Sequence, residues 1–299
     1  MSLKWDNAGD CCQIGKATIK RIVDLAEMPM KASFLFPDST PEMLHAAHDE
    51  LGDIHVDYVN QSLLLSFQAF LIDIDGKLIL VDSCCGNDKN RERVAGWHKR
   101  QGPFLENLAL YGVAPEDIDF VMCTHLHVDH VGWNTRLVNG KWVPTFPNAQ
   151  YILARKELSH WKSIYSNKKN QIGMSYQGYK DSVLPILDSD QAMIVESDFD
   201  FGSGVFLEDT NGHSPGHVSV HCQHEKDHAL ICGDVFHHAI QLRNPDLSTN
   251  FCSDKDASRE TRHRILSTYA DTDTLILPAH FKAPLFGSLA RDKGAYKIV

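Results

Sequence analysis

The run Thr124-His125-Leu126-His127-Val128-Asp129-His130 places four groups able to bind a cation within six residues, directly after a short β-branched and aromatic stretch, Ile118 to Cys123. In an extended backbone, side chains two residues apart point the same way, so His125 and His127 can share one ion. If the chain then turns, Asp129 and His130 swing to a neighbouring position and can hold a second. Imidazole with carboxylate suits Zn²⁺, or Mn, Fe or Co, and the absence of thiolate argues against a closed structural zinc site. The plain alternative is a polar strand end whose histidines happen to cluster.

Three more segments carry the same chemistry. Asn211-Gly212-His213-Ser214-Pro215-Gly216-His217 reads as a tight loop between strands. Ile231-Cys232-Gly233-Asp234 is a strand ending in a carboxylate, and Leu277-Pro278-Ala279-His280 is a strand ending in a histidine. Layered sheet proteins gather functional groups at strand ends over a rigid scaffold, so one common edge for all four segments is physically reasonable. Singly, His213 could be a turn residue, Asp234 a helix cap and His280 a satisfied core histidine. Together they point to a metal centre.

The elements that must position these residues follow from periodicity and turn chemistry. Leu63 to Leu71 and Lys77 to Val81 flank Asp75-Gly76, which predicts a β-hairpin. Strands are further expected at Ala17 to Ala26, Gln150 to Leu153, Met193 to Glu196, Val205 to Glu208, Val218 to Cys222, Ala229 to Cys232 and Leu275 to Leu277. Helices are expected at Phe104 to Tyr111, Arg155 to Ile164 and Ser258 to Tyr269. The order suggests two β-rich halves packed together with helices outside. Met28 to Tyr58, with Pro29, Pro37 and Pro41, reads as a long irregular excursion of the kind that often forms a lid. The charged run over residues 86–102 reads as a solvated loop or helix face. His224 and His228, flanking Glu225-Lys226-Asp227, read as solvent-exposed, and the adjacent Cys84 and Cys85 as buried small hydrophobes.

Composition excludes several classes. Lys plus Arg total 29 against 39 Asp plus Glu, a net charge of −10 that repels phosphate backbones and makes nucleic acid an unfavourable partner. No stretch approaches the ~20 apolar residues of a membrane helix. Met1 to Asp6 lacks the apolar core of a secretory signal, so a cytoplasmic location is expected. The eight Cys form no C-x-x-C, which fits neither a disulfide framework nor a zinc ribbon. No nucleotide loop or Gly-x-Ser-x-Gly elbow is present, and Gly202-Ser203-Gly204 is a turn.

From about Leu63 to about His280 the sequence resembles the metallo-β-lactamase superfamily of dinuclear metal hydrolases. The resemblance implies an α/β fold, an αββα sandwich of two mixed sheets with helices on the outer faces, spanning 1–299 as a single domain with 28–58 as its excursion. It implies His125, His127 and His213 as ligands of one metal, Asp129, His130 and His280 as ligands of a second, and Asp234 as the bridge. Asp82, closing Leu80-Val81-Asp82, matches an acidic residue that orients a ligand from behind. β-Lactamases of the commonest type have a cysteine where Asp234 stands, and flavodiiron reductases a glutamate where His127 stands. What remains are lactonases such as acyl-homoserine lactonases, organophosphate hydrolases, thioester hydrolases and iron-dependent oxygenases of the same fold, of which the lactonase branch looks closest. Many lactonases carry a tyrosine three residues after the bridging aspartate, where this chain has His237, a candidate donor to the substrate carbonyl.

The expected chemistry is then attack by a metal-bridging hydroxide, since two divalent ions ~3.5–4 Å apart lower the pKa of a shared water toward ~7. Asp129 would accept the proton and pass it to the leaving alkoxide. Zinc is the expected metal. The expected partner is a small-molecule substrate, with no nucleic acid or membrane, and a homodimer is left open. Met28, Met30, Phe34 and Phe36, with Phe67, Trp133 and Phe236, are candidates for an apolar substrate pocket.

Overall fold

The computed structural model describes residues 10–167 and 173–299. The N-terminal segment read for a leader lies outside the described residues. The first sheet runs β1 (Cys11–Ile14), β2 (Ala17–Lys31), β4 (Ser62–Ile74), β5 (Lys77–Val81), β6 (Phe120–Met122), β9 (Gln150–Ala154) and β10 (Ala192–Val195) in spatial order, with β3 (Val56–Asp57) paired to β4. The second runs β11 (Asp200–Gly202), β12 (Val205–Asp209), β13 (Val218–His224), β14 (Asp227–Gly233), β15 (Leu275–Pro278), β16 (Gly287–Asp292) and β17 (Ala295–Ile298). A separate hairpin joins β7 (Thr135–Val138) to β8 (Lys141–Pro144). The β4–β5 hairpin turns at Asp75 and Gly76, both with positive φ (48° and 76°), as the Asp-Gly pair demands.

Every residue of β4 from Ser62 to Leu71 is buried because both faces of its sheet are covered. Phe70 and Ile72 face the second sheet with Val81, Met122, Val205, Val220 and Ile231. Ala69 and Leu71 face outward with Leu80, Val121 and Tyr151, under Phe104 and Leu108 of α3 (Phe104–Ala109) and Leu158 and Trp161 of α4 (Arg155–Ser166). The helix Lys255–Tyr269 covers the outer face of the second sheet and packs Ile265 and Leu266 inward. The result is the expected layered sandwich of two mixed sheets with helices outside. No described helix is long and apolar enough to cross a membrane.

Three expectations change. The excursion 28–58 is ordered: β2 continues to Lys31, with Met28 opposite Leu65 and Met30 opposite Leu63, after register shifts near Leu25. Pro29 keeps its place in this run, opposite Leu64. Helices α1 (Ala32–Leu35) and α2 (Pro41–Leu51) follow, and Leu35, Phe36, Leu44 and Val56 pack on Leu63, Leu65 and Phe67. The charged 86–102 run is not simply solvated, since Lys89 and Arg91 are fully buried on Asp181. His228 is not free in solvent either, because its Nε2 lies 2.8 Å from His221 Nδ1 and its Nδ1 3.1 Å from Thr274 Oγ1.

Candidate metal centre

The functional groups meet at one edge because of strand direction. β5, β6 and β9 are parallel, so Asp82, the Thr124–His130 loop and the start of α4 leave the first sheet at the same end. In the second sheet β14 and β15 are parallel, which puts Asp234 and His280 at a shared end. β13 runs against β14, so the loop that precedes it, with His213, reaches that end too. Val218 N donates to Thr124 O at 3.0 Å and stitches the two sheets there.

All seven predicted ligands converge. His127 Nδ1 lies 3.0 Å from His125 Nε2 and 2.8 Å from His213 Nε2. Asp234 Oδ2 is 3.2 Å from His213 Nε2 and 3.8 Å from His125 Nε2. The other carboxylate oxygen, Oδ1, is 3.2 Å from His130 Nε2 and 3.1 Å from His280 Nε2, with Asp129 Oδ2 at 3.9 and 3.7 Å from those nitrogens. The donors thus divide into His125, His127, His213 and Asp234 on one side and Asp129, His130 and His280 on the other. Asp234 faces both groups.

Two observations fit this donor set to cations. His130 Nε2 and Asp234 Oδ1 are buried and close, yet neither makes a hydrogen bond, which is costly unless something else fills the space between them. Burial also drives the His125 and His213 pKa values well below the ordinary imidazole range, so these rings are neutral and keep a lone pair for a metal. For His130, burial is outweighed by Asp234, Asp82 and Asp129, which raise its pKa; a dication would take the proton's place among those carboxylates.

A supporting shell fixes the candidate donors. Asp82 accepts from Thr124 N (2.7 Å) and the Thr124 hydroxyl and pairs with His130 Nδ1 at 2.8 Å, which aims His130 Nε2 at the centre. His280 Nδ1 lies 3.1 Å from Ser66 O. Two positioning residues escaped the sequence reading. His217 accepts Asp234 N at Nε2 (3.0 Å) with Thr210 Oγ1 at its Nδ1, and burial brings its pKa to about 4, keeping it a neutral acceptor. Gly233 is obligatory above it: φ is 48°, and a Cβ would come 2.7 Å from His217 Nε2. Glu157, buried on α4, accepts Leu126 N (3.0 Å), Trp161 Nε1 (2.5 Å), Ser214 Oγ (2.7 Å) and Gly216 N (2.9 Å). One carboxylate thereby ties the His125–His127 loop to the His213 loop. A helical glutamate gives no such signal in sequence; His217 stood at the end of the His213 loop segment but was assigned no role.

His237 lines the same cavity. Its Nε2 is 3.2 Å from Asp234 Oδ2, neither ring nitrogen makes a hydrogen bond, and burial lowers its pKa. Its backbone N–H is held by Gln241 Oε1 at 2.7 Å. The cavity, about 730 Å³, reaches from the two donor groups to the surface, with Met28, Met30, Phe34, Phe67 and Trp97 on its walls. Phe67 meets the His280 ring edge-on at 4.7 Å. Phe36, Trp133 and Phe236 do not line it: Phe36 packs behind His237, Trp133 stacks on Phe104, and Phe236 faces Phe281 in the core.

Similarity to known proteins agrees with this geometry. An N-acyl homoserine lactonase of Bacillus cereus is 33% identical over 122 residues, 40% of this chain and 39% of that protein. One from a Bacillus sp is 30% identical over 120 residues, again 40% and 39%. The match therefore spans about two-fifths of these relatives. Among solved structures, the hydrolase AbOPH of the β-lactamase superfamily superposes with a TM-score of 0.80 at 25% identity, covering 97% of this chain and 96% of that one. AidC, a dizinc quorum-quenching lactonase in complex with a hexanoyl-homoserine product, gives 0.76 at 19% identity, covering 98% of each, a likeness of fold. The metallo-beta-lactamase superfamily model matches residues 68–280, the stretch that carries every donor of the centre, and the chain belongs to that superfamily.

Proposed function

We propose that this chain is a divalent-metal-dependent hydrolase of a small-molecule ester, with a lactone bearing an apolar acyl chain as substrate. The observation that carries the reading is the pairing of two donor groups, bridged by Asp234, with a cavity whose walls are mostly apolar. In it, His125, His127 and His213 hold one ion, Asp129, His130 and His280 the other, and Asp234 both; zinc suits this set. Two such ions make water acidic enough to serve as a nucleophile near neutral pH and polarise an ester carbonyl. Asp129, a partly open carboxylate at 15% side-chain exposure, takes the proton of the attacking water and delivers it to the leaving alkoxide. His237 donates to the carbonyl oxygen, and Met28, Met30, Phe67 and Trp97 receive the acyl chain. The segment 28–58 is a wall of the single domain and sets chain selectivity. The Bacillus relatives, named for N-acyl homoserine lactones, support the substrate class.

The test is hydrolysis by the purified, zinc-loaded protein of one acyl-homoserine lactone, one simple lactone, one phosphotriester and one glutathione thioester, with metal content measured in parallel. The reading expects a dominant lactone rate, lost on chelation and restored by Zn²⁺, at about two metals per chain. A dominant phosphotriester or thioester rate would move the substrate class. A single iron per chain with oxygen consumption would replace hydrolysis by oxidation.

A further inference from the structure

Between Val81 and Phe104 the chain forms neither helix nor strand, yet Arg93, Val94 and Trp97 from this stretch form one wall of the cavity. Met174 and Ser175, at the start of α5 (Met174–Gly178), form another. The two walls are joined out of sight of the cavity. Arg91 makes a bidentate pair with Asp181, Nη1 to Oδ2 at 2.7 Å and Nη2 to Oδ1 at 2.9 Å, and Arg91 is 1% exposed. Asp181 sits in a π-type turn, Tyr179–Val183, that continues α5. Lys89 Nζ adds bonds to Thr135 Oγ1 (2.6 Å) and Asp181 O (3.3 Å) and lies 3.6 Å from the centre of the Trp142 ring. Burial brings Lys89 down to about 7, so Arg91 supplies the lasting charge opposite Asp181.

The consequence reaches the centre. Trp97, whose N–H donates to Val94 O while Val94 N donates to Arg91 O, meets Phe67 edge-on at 5.3 Å, and Phe67 meets His280. Gly178, on the other wall, lies against Val128, the neighbour of His127 and Asp129; a Cβ there would come 2.5 Å from Val128 Cγ1. We propose that Arg91 and Asp181 are positioning residues that set the width of the cavity between the Val94–Trp97 and Met174–Ser175 walls, and through it the preference for long apolar chains. This rests on the reading of the cavity as the acyl site. A buried pair of this kind need not add stability, since apolar replacements of similar volume are often neutral, but it fixes register between segments that have no backbone ladder of their own.

The experiment compares decanoate with butanoate binding by titration calorimetry to the metal-loaded protein, and decanoyl with butanoyl lactone turnover, in the wild type, Asp181→Asn, Arg91→Met and Arg91→Lys. The expected result is decanoate binding weakened roughly tenfold in the first two variants, with butanoate binding and the butanoyl kcat within about twofold of wild type, and partial recovery in Arg91→Lys. If single variants fail to fold, the double variant Arg91→Met/Asp181→Leu removes both charges and is held to the same expectation. Unchanged decanoate binding in a folded variant, or equal losses for both chain lengths, overturns the proposal. Calorimetry needs no turnover, so an inactive wild type that binds decanoate, with the predicted loss in the variants, would refute the lactonase reading while upholding the clamp. A wild type that hydrolyses lactones, with variants unchanged in chain preference, would do the reverse.

Discussion

At the scale of single residues, the donors of the centre differ in how they are held. His125, His130, His213, Asp234 and His280 are buried, whereas His127 and Asp129 are partly open, and Asp129 is 3.7 Å or more from the nearest imidazole nitrogen of its group. A carboxylate so placed can ligate through one oxygen and exchange a proton through the other. Asp129→Asn should therefore lower kcat by about 10²–10⁴-fold while most of the bound metal remains, read by turnover and elemental analysis of one preparation. Parallel loss of both would reduce Asp129 to a ligand. His237 is the reverse case, a buried ring with two unused nitrogens beside the bridge. His237→Ala should leave metal content intact and cut kcat/KM by roughly tenfold or more, the loss of one donor to a developing charge, and His237→Tyr should restore part of it. If His237→Ala instead strips metal, the ring is a ligand.

At the scale of elements, the donor cluster is assembled by strand ends and then locked by neighbours that lie outside the donor set. Glu157 on α4 is the clearest example, since its two oxygens accept four donors from three segments. Glu157→Gln replaces two acceptor sites with N–H groups and faces donors with a donor. Metal affinity should fall about 10–100-fold, measured by competition with a chromogenic chelator, with less effect on kcat once saturated. An affinity equal to wild type would show that the two loops hold their spacing without it.

At the scale of the molecule, histidines buried away from the centre tie stability to pH. Burial lowers His55 and His228 from 6.5 to about 4, the latter helped by His221. Between those values the unfolded chain binds protons that the folded chain refuses, so stability rises with pH from about 4 to about 6.5 and then levels. His228→Gln should flatten that rise, seen as a smaller change of Tm between pH 6.5 and 4.5 than in wild type. An unchanged slope would mean that the His221–His228 pair opens to solvent before the chain unfolds. Because the second strand layer also carries the metal edge, chelation should lower Tm in the same experiment.

Much of this was legible in the sequence for identifiable reasons. Metal chemistry needs particular side chains at particular spacings, so His125, His127, Asp129, His130, His213, Asp234 and His280 stand out before any fold is known, and Asp75-Gly76 announces its hairpin because few residues tolerate that backbone. The two β-rich halves with helices outside followed from the order of strand and helix patterns along the chain, and the αββα sandwich from the family resemblance. Tertiary structure alone decided the rest. Arg91 and Lys89 look solvated in a charged run until Asp181, ninety residues on, neutralises them. Pro29 suggests a break until β2 is seen to carry it past, opposite Leu64 of β4. Glu157 looks like any helical acid until two loops from opposite sheets bring it their N–H groups. Burial and long-range pairing depend on the whole chain closing, and no local pattern contains them.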